Sequence, residues 1–128
     1  MCIRDSLSPD GIAIRVGKNN LQNDRLTFKQ ARGEDIWLHA KDIPGSHVVI
    51  STEGIDEVPD ATLEAAALLA AFHSRAEEGT LVPVDYTRIK YVKKQPGGKP
   101  GQVFYKQFKT VFVTPTEAAV TKAATRKH

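Results

Sequence analysis

The chain has 128 residues, enough to close one hydrophobic core and too few for two. Its 41% hydrophobic and 26% charged content is that of an ordinary folded domain; the longest apolar run, 65–72, suits a buried helix and falls short of a membrane span. The single cysteine, Cys2, excludes an internal disulfide or a multi-cysteine zinc site, and the N-terminus lacks the order of a signal peptide, so a reducing, cytoplasmic setting without a membrane partner is expected.

Met1 to Ser6 runs almost directly into a strand-like segment and reads as a leader that is not native, so 1–10 is set apart from a single domain over 11–115. From Gly11 to Val16, Ile12, Ile14 and Val16 alternate with other residues, which predicts a half-buried strand ending at the Gly17-Lys18-Asn19-Asn20 turn. Leu21 to Ala31 predicts a short helix capped by Asn20 or Asn23 and stopped by Arg32-Gly33. Asp35 to Lys41 alternates again. Ile36, Leu38 and Ala40 share one face, and Asp35, Trp37, His39 and Lys41 the other. After the Asp42 to Ser46 turn, His47 to Ser51 returns as the antiparallel partner.

Asp60 is the expected N-cap of a helix through Ala76, apolar on nearly every side and therefore buried, with Gly79 as a stop signal. The remainder to Pro115 reads as one long hairpin. Val82 to Lys94 and Gln102 to Thr114 would be its strands, 95–101 its turn, and Phe104, Phe108 and Phe112 would line one face of the second strand. The tail, 116–128, is basic and weakly helical or disordered. The expected fold class is α+β: an antiparallel sheet with a long basic hairpin, packed against one buried alanine-rich helix and one shorter helix.

Charge is distributed unevenly. Residues 1–84 hold 8 Lys/Arg against 13 Asp/Glu, whereas 85–114 hold 7 against 1. Arg88, Lys90 and Lys94 would share a strand face with Lys93, Lys99, Lys106 and Lys109 nearby, offset only by Asp85. Such a ridge of mobile cations matches a phosphate backbone and would bind it in a salt-dependent way, although lysines also protect an ordinary sheet edge. The Pro96 to Gly101 turn exposes backbone N–H groups beside Lys99. It lacks the Gly-Lys-Ser/Thr ending of a P-loop, so nucleotide hydrolysis finds little support.

Trp37, His39 and His47 would group on one face of the 35–51 hairpin with Asp35 and Asp42 close by. Three readings stay open there: satisfied structural histidines, contact with an unpaired base or ribose, and catalysis or metal binding. The spacing of the two histidines is no recognised ligand pattern, and no metal or cofactor is expected.

Asp35-Ile36-Trp37-Leu38-His39-Ala40-Lys41-Asp42-Ile43-Pro44-Gly45-Ser46-His47-Val48-Val49-Ile50 resembles the signature of the NFACT RNA-binding domain. The likeness continues through the 61–76 helix, Val84-Asp85-Tyr86-Thr87 and the Lys93 to Gly101 turn. This is the family of bacterial RqcH, also called fibronectin-binding protein A, and of nuclear export mediator factor. The resemblance implies a ribosome quality control factor that binds obstructed large ribosomal subunits and tRNA and supports C-terminal alanine tailing of stalled chains. Peptide transfer would belong to the ribosome, so no enzyme activity is expected. It further implies large-subunit rRNA, tRNA and the remaining domains of a full-length NFACT protein as partners. A stand-alone RNA-binding domain linked to RNA modification is the alternative. Adhesion to fibronectin finds no signal peptide or anchor to support it.

Overall fold

The computed structural model describes residues 4–77, 79–100, 102–123 and 125–126. Strands β1 (Arg4–Leu7) and β2 (Ala13–Val16) open it as an antiparallel hairpin. Part of the stretch read as a leader is therefore a sheet strand, with Ser6 fully buried; Met1 to Ile3 lie outside the described residues. Ser8 organises the turn between the strands, its hydroxyl accepting from the N–H groups of Asp10 and Ile12.

Helix α1 (Asn20–Arg25) is capped by Asn19, whose side-chain oxygen accepts from the Gln22 N–H at 2.9 Å. Neither Asn20 nor Asn23 caps it. Asn23 is buried, and its side-chain oxygen accepts from the His47 N–H at 3.0 Å. The helix then widens into one π turn over Leu26–Gln30, which turns Leu26 and Thr27 inward together.

β3 (Ile36–Ala40) and β4 (Val48–Ile50) pair as expected, Trp37 opposite Val49. With β5 (Val82–Arg88), β8 (Lys109–Val113) and β9 (Thr125–Arg126) they complete an antiparallel sheet in the order β8-β5-β3-β4-β2-β1-β9. Period-2 alternation decides its faces. Ile36, Leu38 and Ala40 join Ile14, Val16, Val48, Ile50, Val82 and Val84 on the side that meets helix α2 (Asp60–Phe72). Ala65, Ala66, Ala67, Ala70 and Ala71 are all fully buried, and their small side chains let the helix lie close to the sheet. Helix α3 (Glu117–Ala123), within the stretch read as a tail, packs against α2.

α2 departs from expectation at both ends. Pro59 is its N-cap, with Asp60 in the first turn, and the helix stops at Phe72 instead of reaching Ala76. The stop is tertiary. Gly45 bridges Ser74, the Ser46 N–H donates to the His73 carbonyl, and the Arg75 N–H donates to the Pro44 carbonyl. The His73 and Ser74 N–H groups still reach back to the Leu69 and Ala71 carbonyls, but the His73 carbonyl and the Arg75 N–H are taken up by the β3–β4 loop. A Cβ on Gly45 would come within 2.9 Å of Ser74, so glycine is what permits this approach.

The long hairpin is the larger correction. β5 and β8 pair in the main sheet, but β6 (Val92–Lys94) and β7 (Val103–Tyr105) form a separate two-stranded ribbon. A 3₁₀ turn over Ile89–Tyr91 divides the first arm, and Gln107, at φ 56°, bends the second. Ile89 and Val92 are three residues apart, so they break strand alternation. Both enter a second apolar cluster with Leu26, Trp37 and Val49 on the face away from α2, and the Ile89 and Lys90 N–H groups bond the Asp35 and Gly33 carbonyls. The ribbon therefore folds over the second face of the sheet.

Candidate nucleic-acid interface

Folding the ribbon back brings together two groups of residues that are far apart in sequence. Beneath it, Trp37 and His39 stand two apart on β3, on the same face, with rings stacked at 3° and 5.7 Å between centroids. His47 meets both rings edge-on, at 5.3 and 5.5 Å. Tyr105, from β7, lies against Trp37 at 4.7 Å. A cleft of about 370 Å³ opens among these rings, bounded by Asp42, Ile43 and Pro44 on one side and Gln95, Gln102 and Val103 on the other.

Each ring is held from behind. His47 Nδ1 shares a 2.8 Å hydrogen bond with the Thr27 hydroxyl, which the π turn supplies. His39 Nδ1 lies 2.7 Å from the Ala40 carbonyl oxygen. Burial pushes the His39 pKa below the ordinary histidine value, against the upward pull of the Ala40 and Gly45 carbonyls and the Asp85 carboxylate, so the ring is neutral at pH 7. The Tyr105 hydroxyl donates to Asp85 Oδ2 at 2.7 Å; burial first, and that carboxylate second, push its pKa well up, so it remains a phenol. Asp85 also accepts from Thr110 at 2.7 Å and pairs with Lys41 at 3.4 Å. Asp85, read as an offset to surface lysines, is instead the buried post that ties ribbon, β8 and sheet together.

The predicted cations divide into two sets. Arg88, Lys90 and Lys94 do not share a face, since they sit on β5, the 3₁₀ turn and β6. Arg88 donates to the Glu34 and Asp56 carbonyls. Lys90 pairs with Glu34 at 2.9 Å and Lys94 with Asp24 at 3.2 Å. Lys93, Lys99, Lys106 and Lys109 are exposed and, among the described residues, form no ion pair. Phe104, Phe108 and Phe112 are exposed as well, but they do not line one strand. Phe104 lies in the ribbon and Phe112 in the main sheet, while Phe108 packs edge-on to Tyr105 with Lys41 Nζ 4.7 Å above its ring.

Asp35 leaves the candidate set because it is fully engaged: its carboxylate accepts from the N–H groups of Thr52 and Arg32 and from the Thr52 hydroxyl. Sequence reading missed Tyr105, Gln95 and Gln102, which enter only through the fold-over. The spacing of Ile89 and Val92 was the available signal. Among the described residues no cluster of three His, Cys, Asp or Glu is placed to hold a metal, and no helix is long and apolar enough to cross a membrane.

A cationic ribbon laid over an aromatic cleft defines an α+β domain with the layout of a nucleic-acid-binding module. The family model for the NFACT protein RNA binding domain matches residues 3–107, and the chain belongs to that family. It is similar to the Rqc2 homolog RqcH of Bacillus subtilis (strain 168), 53% identical over 90% of this chain and 20% of that protein. The Rqc2 homolog RqcH of Streptococcus suis (strain 05ZYH33) is 54% identical over 87% of this chain and likewise 20% of its own length. The chain thus spans about a fifth of these relatives. The solved C-terminal structure of the fibronectin/fibrinogen-binding protein from Streptococcus suis matches with a TM-score of 0.87 at 48% identity, over 94% of this chain and 49% of that one.

Proposed function

We propose that the chain is the RNA-contacting domain of a ribosome quality control factor. In this reading it acts in the cytoplasm as part of a longer protein and engages rRNA of the obstructed large subunit and tRNA. It thereby supports alanine tailing of stalled chains and catalyses no reaction itself. The observation that carries the reading is the set of lysines that form no ion pair among the described residues, Lys93, Lys99, Lys106 and Lys109, on and beside a ribbon laid over the sheet of an otherwise acidic chain. Cations without protein partners are available to phosphates, and each phosphate neutralised releases counterions. The relatives named Rqc2 homolog RqcH supply the biological setting.

The test uses Lys93→Glu with Lys99→Glu, chosen over Lys94 because Lys94 already pairs with Asp24. Binding of tRNA or large-subunit rRNA, titrated across salt concentrations, should weaken, and the logarithmic salt slope should flatten by about 0.7 to 0.9 for each phosphate that is no longer neutralised. The thermal midpoint should barely move, since exposed charges contribute little to folding. Unchanged affinity and slope in the double variant would refute the reading.

A further inference from the structure

The ribbon and the cleft differ in charge. No lysine or arginine is among the residues that line the cleft, although the ribbon above it is cationic. Its one formal charge is negative. Asp42, held at φ 54° in the β3–β4 loop, is exposed and, among the described residues, makes no ion pair. A carboxylate repels phosphate, so the cleft is unsuited to RNA backbone and suited to a base edge rich in donors. The walls fit that role. His39 and Tyr105 are partly exposed aromatic rings, Gln95 brings an amide that can donate or accept, and Gln102, whose side-chain oxygen accepts from the Lys99 N–H, keeps its NH₂ to donate. One further group is unaccounted for: Trp37 Nε1 is buried and has no hydrogen-bond partner among the described residues, which is unusual for a buried donor.

We propose that this cleft receives a single unpaired guanine, its Watson–Crick edge on the Asp42 carboxylate and its ring against His39 and Tyr105, while neighbouring phosphates follow the ribbon lysines. Guanine is chosen on donor count. A carboxylate has two acceptor oxygens, and among the four bases guanine sets two different donors side by side, N1–H and the N2 amine; adenine and cytosine offer one amine, and uracil one imide N–H. The cleft, at about 370 Å³, has room for a base, and a paired guanine could not use it because its Watson–Crick donors are already engaged. The exposed Phe108, edge-on to the cleft residue Tyr105 and with Lys41 over one side of its ring, offers a stacking surface for the next nucleotide. The domain would therefore read a nucleotide splayed from a loop or bulge, adding selectivity to the charge-driven contact.

This inference rests on the RNA reading, and the experiment separates the two. The 128-residue chain is titrated with short fluorescein-labelled oligouridylates carrying one central guanosine, inosine, adenosine or cytidine, and with a duplex in which the guanosine is paired. Unlabelled versions of the same RNAs are followed by the fluorescence of Trp37, the one tryptophan. The guanosine oligomer should bind about tenfold tighter than plain oligouridylate and quench Trp37, while inosine, which lacks the amine, loses most of that gain. Asp42→Asn should erase the guanosine preference without weakening oligouridylate binding, since it removes only a repulsive charge; asparagine tolerates the positive φ, so the fold is kept. Equal affinity for all single strands, a guanosine preference that survives Asp42→Asn, or equal quenching by the duplex would overturn the pocket and leave the ribbon's role standing. Failure to bind any RNA at low salt would overturn both.

Discussion

On one face of the sheet, α2 lays Ala65, Ala66, Leu69 and Ala70 against Ile14, Leu38, Val48 and Val84, all of them fully buried and all apolar. On the opposite face Trp37 and His47 are as deeply buried, but their neighbours are Thr27, His39, Asp85, Tyr105 and a cleft open to solvent. The same strands build both faces, through alternate residues. One face is closed over these residues by a continuous helix, which seals them from solvent. The other is covered by a turn and a two-stranded ribbon that carry polar groups inward. The first face maintains the fold, and the second can meet a partner because its cover is incomplete.

The largest expected effect lies on the closed face. Leu69→Asp would put an unpaired charge inside the apolar cluster, at a cost of about 4 kcal/mol or more, enough to unfold a domain of this size at ordinary temperature. Circular dichroism should show loss of the folded spectrum. A variant that melts within a few degrees of the parent would mean that the α2 face is not the seat of stability.

Much of the closed face was legible in the sequence, because two periods specify it: alternation at Ile36, Leu38 and Ala40, and a helix apolar on all sides at 65–71. The pairing of β3 with β4 followed from the Asp42 to Ser46 turn in the same way. The open face was legible only in its parts. Trp37, His39 and His47 were grouped correctly since they flank one turn, whereas their junction with Gln95, Gln102 and Tyr105 depends on where the β5–β8 hairpin breaks. Two buried residues, Ile89 and Val92, decide that break, and their partners Leu26 and Val49 are forty or more positions away in sequence. Local pattern cannot convey a contact of that range. The early end of α2 has the same origin, since it follows from backbone bonds to Pro44, Gly45 and Ser46.

A smaller effect should come from the post that joins the two regions. Asp85→Asn keeps the size of the side chain but sets an N–H₂ against one of two hydroxyl donors, Tyr105 or Thr110, and releases Lys41, which is exposed enough to find water. The expected cost is about 2 kcal/mol in chemical denaturation. The loss should be local: amide hydrogen exchange should quicken in β7 and β8 while α2 keeps its protection. Equal loosening of both faces would show that Asp85 supports the whole domain rather than the ribbon's attachment.

The smallest effect concerns pH. Burial holds the His39 pKa below its value in the unfolded chain, which is about 6.5. Above that value neither state is protonated, and His39 makes no difference to stability. As pH falls below it, the unfolded chain takes up a proton that the folded one resists, so stability declines until the folded pKa is passed, where the loss is complete. His39→Phe keeps a ring that can stack on Trp37 and removes the titration. Thermal midpoints measured from pH 7.5 to 5 should therefore fall less steeply in the variant than in the parent, with the two curves parallel above neutrality. Carboxylates paired in the fold titrate in both proteins and cancel in the difference. If the curves stay parallel down to pH 5, His39 is not desolvated in the fold, and the open face is wetter than its geometry indicates.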